Sequence, residues 1–482
     1  MKYKSTRGRS FQDSTYKTLL EGLSEDGGLY LPLDLPKIDI KDNDIKNFTY
    51  TDYAEKIIGE IFNDIDKEVL SEEIKLAYKS FDREVLPIKK LDSLYLMELY
   101  HGETFAFKDF ALSLLPKLIS RALEKENPDK KILILTATSG DTGSAALYGF
   151  KNVKNTKIIV FYPTKGISEI QKKQMVSVDG DNTYAVGVRG NFDDAQSALK
   201  EIFNDKEFKD YLRDKNYLLS SANSINIGRL VPQIVYYFYS YFTLVKRGEI
   251  SNGDKVSVSV PTGNFGNILA AYMAKKMGLP IEDLICGSNK NKVLTDFINT
   301  GSYNANREFY TTNSPSMDIL ISSNLERFLY YELEEDPDKI NNLMNKLKSS
   351  GAYSIDPALL NNIYGYSYND QETLEEIKRV FDNYNYLIDP HTAIATAGAR
   401  DYLKNKDTKV LVASTASPFK FAGSIVSALG ETCSDEISAI DLVEDLTGIR
   451  AKNFKKLLNS EIKQKRQIEK SDIKEVIREI LK

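Results

Sequence analysis

Lys108 is the side chain whose setting most favours covalent chemistry. It stands between Phe107 and Asp109 in the segment HGETFAFKDF, and a long apolar stretch follows it. Aromatic neighbours at the edge of a core withdraw an ammonium group from water, which lowers its pKa and makes the amine nucleophilic. The alternative is a lysine whose stem packs while its charge stays in water, and for this segment alone the alternative is favoured.

A second candidate is the loop of residues 136–144, TATSGDTGS, which follows a strand-like run and opens a helical stretch. Its hydroxyl groups, its glycines and the N–H groups of the following helix could bind an anion such as a carboxylate. Asp141 in its centre would repel an anionic guest unless the bound group carries positive or protonated atoms of its own. A helix-capping loop of small residues explains the segment equally well.

A third candidate is the segment PTGNFGN of residues 261–267, which stands between the run VSVSV and another helical stretch. Its glycines can turn successive backbone N–H groups toward a phosphate at the start of that helix. The sequence differs from a nucleotide-triphosphate loop, because no lysine follows in the GKS or GKT manner, and it contains no GxGxxG motif. The segment is therefore interpreted as a cradle for one monoester phosphate.

The segment ASTASPF of residues 413–419 offers neutral hydroxyl groups after another strand-like run, a pattern that most often caps a helix. The candidates fit better together than apart. An activatable lysine, a phosphate cradle and a hydroxyl-rich anion loop are what a pyridoxal phosphate enzyme needs to bind its cofactor and a substrate carboxylate.

Four segments, in this order, closely resemble the motifs of the threonine synthase family of fold-type II pyridoxal phosphate enzymes: HGETFAFKDF, TATSGDTGSAA, SANSINIGRLVPQIVYYF and VPTGNFGN. The opening GLSEDGGLYLP also resembles the start of that family, so the resemblance covers nearly the whole chain. It implies the conversion of O-phospho-L-homoserine and water to L-threonine and phosphate. The chain departs from the family pattern at Glu103, Thr262 and Ser417.

The resemblance also implies roles for individual residues. Lys108 matches the Schiff-base lysine, and Thr415 matches the hydroxyl group expected against the pyridine nitrogen. The loop around the cofactor phosphate is matched by Gly263, Asn264, Phe265, Gly266 and Asn267. The loop that meets the substrate carboxylate is matched by Ser139, Gly140, Asp141 and Thr142, with Asp141 beside the cofactor's ring hydroxyl. The segment near the substrate phosphate is matched by Asn223, Ser224 and Arg229.

The resemblance implies a mechanism in which the free amine of Lys108 removes an α-proton and then a β-proton while the cofactor ring stores the electrons. The γ-phosphate then leaves, the γ-carbon is reprotonated, and water adds at the β-carbon. Either the leaving phosphate or Lys108 could activate the water. Arg229 is suited to bind the phosphate, because its planar guanidinium can donate two hydrogen bonds to one oxyanion.

Short runs rich in β-branched residues alternate with helical stretches from about residue 90 onward. The strand-like runs are 132–135, 158–161, 184–188, 256–260, 284–286 and 410–413, and the helical stretches include 144–150, 168–176, 192–203 and 267–277. This alternation predicts an α/β fold with parallel strands joined by crossover helices, in two doubly wound sheets that face each other. Such sheets bind ligands beyond the carboxyl ends of their strands, where the three loops lie.

The chain is expected to divide into three parts. Residues 1–95 form an N-terminal subdomain of helical patterns, residues 96–220 a smaller α/β domain that carries Lys108, and residues 221–482 a larger α/β domain with the phosphate loop. A helical insertion is expected at about 325–385, where the sequence is acidic and rich in tyrosine. The tail, residues 441–482, has the pattern of an amphipathic helix packed on the body.

Composition excludes several classes of function. Lys and Arg number 64 against 69 Asp and Glu, for a net charge of -5, so no basic field favours nucleic acid. Two cysteines and two histidines, His101 and His391, leave little material for a metal site, and both histidines are expected to be structural. The polar N-terminus lacks the apolar run of a signal peptide or an anchor, which predicts a cytoplasmic protein with no membrane partner. The protein is expected to be a monomer or a homodimer.

Two other functions remain open at this point. The first is a related fold-type II lyase or dehydratase that gives an oxo-acid and ammonia, although Arg229 and Ser224 argue against a substrate without phosphate. The second is a small-anion binding protein that keeps the fold but has lost catalysis.

Overall fold

The computed structural model describes residues 2–8, 11–138 and 140–482. The chain begins with a small antiparallel sheet in the order β2-β1-β3, formed by Tyr3–Ser5 (β1), Phe11–Gln12 (β2) and Tyr30–Pro32 (β3). The helices around it are Thr15–Glu21 (α1), Asp42–Asn47 (α2), Tyr50–Ile61 (α3) and Lys67–Tyr78 (α4). Side-chain caps start α3 and α4, because Thr49 and Asp66 accept hydrogen bonds from backbone N–H groups of the first turn.

The smaller of the two principal sheets is wholly parallel and has the order β16-β8-β7-β6-β9. Its strands are Lys131–Ala137 (β6), Thr156–Pro163 (β7), Thr183–Val188 (β8), Tyr217–Ser220 (β9) and Gln467–Ile468 (β16). Helices Asp109–Leu112 (α5) and Leu115–Glu126 (α6) precede it. The helices between its strands are Asp141–Phe150 (α7), Glu169–Val176 (α8), Phe192–Asn204 (α9) and Lys206–Asp214 (α10).

The larger sheet has the order β14-β11-β10-β15-β5-β4, and all its neighbours are parallel except β4 and β5. Its strands are Ile88–Leu91 (β4), Leu94–Glu98 (β5), Val256–Pro261 (β10), Ile281–Ser288 (β11), Ile363–Ser367 (β14) and Lys409–Ser414 (β15). Its helices include Ile227–Lys246 (α11), Gly266–Lys276 (α12), Val293–Thr300 (α13) and Pro390–Leu403 (α17). The α/β prediction is confirmed, as is each strand-like run and helical stretch named above. The division at residues 95 and 220 stays a prediction.

The segment 325–385 is helical in part. It contains Leu325–Glu332 (α14), Pro337–Ser350 (α15) and Asp370–Tyr384 (α16), as expected. It also contains β14, which pairs in parallel with β11 and forms the edge of the larger sheet, and Ala352–Ser354 (β13), which pairs with Ser302–Asn304 (β12). The strand β14 was missed because its sequence, IYGYS, is short and contains a glycine.

The end of the chain forms several helices, so the expectation of one amphipathic helix is wrong. They are Ala422–Ala428 (α18), Glu436–Thr447 (α19), Lys452–Leu458 (α20) and Ile473–Ile480 (α21). Gly448 ends α19 in the left-handed conformation, with φ of 72°. Of these elements, α21 packs on the smaller sheet, where Ile473, Val476 and Ile477 join its outer core. The short strand β16 forms one edge of the same sheet.

Two features of the interior matter for the site. First, β6 and β10 contribute to one continuous core, which includes Ile132 and Ile134 from the first strand and Val256 and Val258 from the second. Second, α7 lies so close to α5 that an added Cβ at Gly149 would fall 1.8 Å from the backbone oxygen of Leu112. Across the described ranges, none of the helices has the length and hydropathy needed to span a bilayer.

Candidate active site

The segments singled out in the sequence meet where β6, β10 and β15 end. The backbone N–H of Phe107 donates to the carbonyl of Thr415 at 2.9 Å, which joins the lysine segment to the end of β15. Residue 141 begins α7 immediately after β6, and residue 266 begins α12 after β10. The topology therefore brings the predicted lysine, anion loop and phosphate loop to one place.

Lys108 lies just before α5 with its side chain 13% exposed. Its Nζ is 3.6 Å from Oδ2 of Asp141 and 5.9 Å from the ring centroid of Phe107. Burial lowers the pKa of Lys108, and the positive charges of Arg229 and Lys420 lower it further, while Asp141 acts in the opposite direction. A desolvated amine with a lowered pKa is suited to nucleophilic and proton-transfer chemistry.

Asp141 is the buried anion at the centre of the site. Its Oδ1 receives Nζ of Lys420 at 2.6 Å and Nε2 of Gln171 at 3.1 Å, and its Oδ2 receives Oγ of Ser316 at 3.4 Å. Burial acts to raise the pKa of Asp141, but the ammonium groups of Lys420 and Lys108 outweigh it and hold that pKa well below its usual range. The carboxylate is therefore already neutralised, which removes the objection that it would repel an anionic guest.

The predicted phosphate loop has the backbone of a narrow cradle. Phe265 adopts the left-handed conformation at φ of 60° and precedes α12, while its ring is buried against Phe328. An added Cβ at Gly263 would fall 2.7 Å from the carbonyl oxygen of Ser316, so this position accepts glycine alone. The backbone of Asn264 accepts a hydrogen bond from Nδ2 of Asn324 at 3.1 Å.

Asn267, in the first turn of α12, carries an amide donor without a partner. Its Oδ1 accepts a hydrogen bond from the hydroxyl of Tyr237, but its buried Nδ2 has no partner among the described residues. Buried donors are nearly always satisfied in native proteins. A phosphate oxygen in the adjoining loop would satisfy this one.

Arg229, in the first turn of α11, is a buried cation that has no counter-ion among the described residues. It is 4% exposed, its Nη1 donates to the carbonyl of Ala222 at 2.9 Å, and its Nε has no partner within the described part of the chain. Burial lowers the pKa of Arg229 to about 10, so the group stays charged at neutral pH. Such a cation is costly unless an oxyanion pairs with it.

The other predicted substrate contacts lie around this arginine or near Asp141. Ser224 is half-buried, and its Oγ is 3.4 Å from Oγ of Ser323, whereas Asn223 is exposed. Gly140 donates its N–H to Oγ1 of Thr138 at 3.1 Å, and Thr142 is half-buried in the first turn of α7. Ser139 lies outside the described residues.

Asn324 and Arg327 link the segment of residues 223–229 to the phosphate loop of residues 263–267. Nδ2 of Asn324 donates to the carbonyls of Ser224 and Asn264. The guanidinium of Arg327 bonds to Oδ1 of Asn324 at 2.6 Å, to the carbonyl of Ile225 at 2.6 Å and to the carbonyl of Tyr30 at 3.0 Å. Sequence reasoning missed both, because no local motif marks residues that act across 60 to 300 positions.

Lys420 and His391 were also not expected at the site. Lys420 follows the ASTASPF segment by one residue, and only its contact with Asp141 shows its place. His391 bonds to Asp389 and to the backbone N–H of Ser316, which agrees with the expectation that it is structural, yet it holds a loop of the site. The close spacing of Asp389 and His391 in the sequence was the one local signal that could have pointed to this hydrogen-bonded pair.

Comparison with known proteins decides the family. A model of the threonine synthase N terminus matches residues 2–78, a model of pyridoxal-phosphate dependent enzymes matches residues 84–415, and a model of the threonine synthase C-terminal region matches residues 392–479. Threonine synthase of Saccharomyces cerevisiae is 36% identical over 467 residues, which cover 89% of each chain. The chain belongs to the threonine synthase family.

Two further relatives qualify this result. Human threonine synthase-like 1 is 40% identical over 444 residues, and this match spans 87% of the chain but only 59% of the human protein. The crystal structure of the pyridoxal phosphate-bound threonine synthase from Brucella melitensis superimposes with a TM-score of 0.89 at 34% identity, over 100% of both chains. The resemblance, the fold and pyridoxal phosphate as the cofactor of this family are thereby confirmed.

The residues of this chain fit that cofactor. Lys108 offers a buried amine of lowered pKa, and Asn267 and the loop of residues 263–267 offer donors for a phosphate group. The carbonyl of Thr415 holds the backbone beside Lys108, which brings the end of β15 next to the same space. The roles that the resemblance implies for individual residues stay predictions.

Proposed function

We propose that the protein is a threonine synthase that uses pyridoxal phosphate to convert O-phospho-L-homoserine and water to L-threonine and phosphate. The observation that carries this proposal is the buried guanidinium of Arg229 close to Lys108, for which the described part of the chain supplies no counter-ion. A simple hydroxy-amino acid would leave that charge without a partner. A phosphate ester on the substrate would pair with it.

In this proposal Lys108 carries the cofactor, and residues 263–267 hold the cofactor phosphate with their backbone N–H groups and the free amide of Asn267. Thr415 would offer a neutral hydroxyl to the pyridine nitrogen, and Asp141 would lie beside the ring hydroxyl. The ion pair with Lys420 holds the Asp141 carboxylate at the centre of the site.

The substrate is held at both ends in the same proposal. Ser139, Gly140 and Thr142 bind its carboxylate at the start of α7, where the helix dipole favours negative charge. Asn223, Ser224 and Arg229 bind its phosphate at the start of α11. Asn324 fixes the distance between the substrate phosphate and the cofactor phosphate, because it bonds to the backbone of both loops.

Pyridoxal phosphate, when bound, supplies an electron-accepting ring that stabilises negative charge on the carbon next to the substrate amine. The chain supplies the base. Nζ of Lys108, whose pKa is lowered by burial, accepts the proton from Cα of the substrate and passes it on within the bound molecule. The amine, neutral again, then accepts a proton from Cβ and returns it to the γ-carbon after the phosphate has left. Arg229 stabilises the phosphate as it leaves the γ-carbon.

The test is an analysis of products. The purified protein, loaded with pyridoxal phosphate, is incubated with O-phospho-L-homoserine, and threonine, inorganic phosphate, 2-oxo-acid and ammonia are measured together. The proposal requires threonine and phosphate in equal amounts. Oxo-acid and ammonia in place of threonine would identify the alternative lyase, and no turnover at all would favour an anion-binding protein.

A matched pair of variants completes the assay. Lys108→Ala removes the proposed base and is expected to abolish threonine formation. Lys404→Ala removes an exposed lysine and is expected to leave threonine formation unchanged. That side chain is 66% exposed, and Asp401, one turn before it, is its only ion-pair partner among the residues the structure describes. Near-normal threonine formation by Lys108→Ala would refute the proposal.

A further inference from the structure

Lys420 is the most deeply buried ammonium group at the site. It lies in the 3₁₀ turn Pro418–Phe421 that follows the ASTASPF segment, and its side chain is 0% exposed. Its Nζ is 2.6 Å from Oδ1 of Asp141 and donates to the carbonyl of Thr104 at 2.9 Å. An ammonium group buried this far is costly, so a neutral side chain would serve better if the position only filled space.

Asp141 thus has an ammonium group on each of its oxygens. Lys420 is on Oδ1 at 2.6 Å, and Lys108 is near Oδ2 at the longer distance of 3.6 Å. The proposed reaction requires different charge states of the two lysines. Lys108 must give up its charge to bond with an aldehyde and again to act as a base, whereas nothing in the reaction consumes the charge of Lys420.

We propose that Lys420 is a positioning residue, whose ammonium group holds the Asp141 carboxylate in place and ionised while Lys108 loses its charge. This inference rests on the proposed function, in which Lys108 carries the cofactor. Without Lys420, Asp141 has Lys108 as its one strong partner. The ion pair then retains Lys108 as an ammonium, and its amine becomes free to react only at higher pH.

The neighbouring charges support this direction. Lys108 faces Asp141, Arg229 and Lys420, and Asp141 faces both lysines and His391. Lys420 faces Asp141 and Asp109, whose pKa is raised to about 6 by burial.

The experiment measures how fast the full chain, freed of cofactor, forms its lysine adduct with added pyridoxal phosphate between pH 7 and 10. Absorbance follows the rate, and hydride reduction with peptide mass mapping locates the adduct. Lys420→Gln keeps hydrogen-bonding atoms and removes the charge, and Lys420→Arg keeps the charge. We expect Lys420→Gln to shift the rate profile to higher pH, so that the adduct forms about tenfold more slowly at pH 7.5, and Lys420→Arg to restore the original profile.

Each other outcome is decisive. An unchanged profile in Lys420→Gln overturns the inference, and so does a Lys420→Arg profile displaced as far as that of Lys420→Gln. If circular dichroism shows that Lys420→Gln fails to fold while Lys420→Arg folds, the charge serves stability alone and the inference is again wrong. The proposed function fails separately, if the unaltered chain carries no adduct on Lys108.

Discussion

Nδ1 of His391 lies 2.8 Å from Oδ1 of Asp389, and both side chains are buried. On its other side Nε2 of the ring accepts the backbone N–H of Ser316 at 3.2 Å, so Nδ1 faces Asp389 as the donor. Ser316 in turn lies against Gly263 and offers its hydroxyl to Asp141. The pair therefore holds a loop between the phosphate cradle and the central carboxylate.

His391→Ala removes this support, because the half-buried backbone N–H of Ser316 loses its partner. Asp389 loses the imidazole but keeps the backbone N–H of residue 391 and the hydroxyl of Thr392. We expect the substitution to lower the free energy of unfolding by about 2–3 kcal/mol, measured by urea denaturation. His391→Asn, whose amide can still donate to Asp389, is expected to lose less. Amide hydrogen exchange at Ser316 should also become about tenfold faster in His391→Ala. An unchanged exchange rate would show that the histidine does not hold the loop.

Gly149 sets the distance between the helix that starts at Asp141 and the helix that follows Lys108. A methyl group there would meet the Leu112 backbone, which cannot move aside as a side chain would. We expect Gly149→Ala to lower the free energy of unfolding by more than about 2 kcal/mol.

The control is Gly423→Ala in α18, where an added Cβ meets nothing within 4 Å. It is expected to be neutral or to stabilise the protein by up to about 1 kcal/mol, because alanine is the better helix former. Equal effects of the two substitutions in urea denaturation would contradict this explanation of Gly149.

Arg229 is predicted to bind the phosphate of the substrate. Arg229→Lys keeps the charge but loses the planar fork, and we expect it to raise the KM for O-phospho-L-homoserine about 10- to 100-fold. Steady-state kinetics with inorganic phosphate as a competitor measure the change. Arg189→Lys, at a side chain 65% exposed, provides the control. A KM for Arg229→Lys equal to that of the control would place the phosphate elsewhere.

His101 predicts a dependence of stability on pH. Burial acts to lower the pKa of His101, but hydrogen bonds to Glu98 at 2.7 Å and Asp82 at 3.0 Å outweigh it and raise that pKa above its ordinary value. Because the folded pKa is the higher one, the stabilisation is complete below the unfolded value of about 6.5 and is lost as pH rises through the folded pKa. His101→Gln should therefore cost more stability at pH 6 than at pH 8.5.

Urea denaturation of both chains at the two pH values measures this difference. Lys404→Ala should show no such dependence. A cost for His101→Gln that is the same at pH 6 and pH 8.5 would mean that the imidazole is not charged in the folded protein.

The sequence was informative where chemistry and secondary structure are local. The strand ending at Pro261 and the glycines after it predict a phosphate loop, because both depend on neighbouring residues. Lys420 and Asn324 could not be found in this way. The role of Lys420 arises only when the fold brings it to Asp141, and that of Asn324 only when the fold brings it between the carbonyls of Ser224 and Asn264. The edge strand β14 was missed for the same reason, because its pairing with β11 comes from the fold rather than from its five residues.

The central claim is that the amine of Lys108, and not that of its neighbour Lys420, bonds to pyridoxal phosphate. The most direct measurement is reduction of the loaded protein with borohydride, followed by peptide mass mapping of the lysine that carries the reduced adduct. The account predicts one adduct, on the peptide that contains Lys108. An adduct on Lys420 or on any other lysine, or none at all, would contradict it.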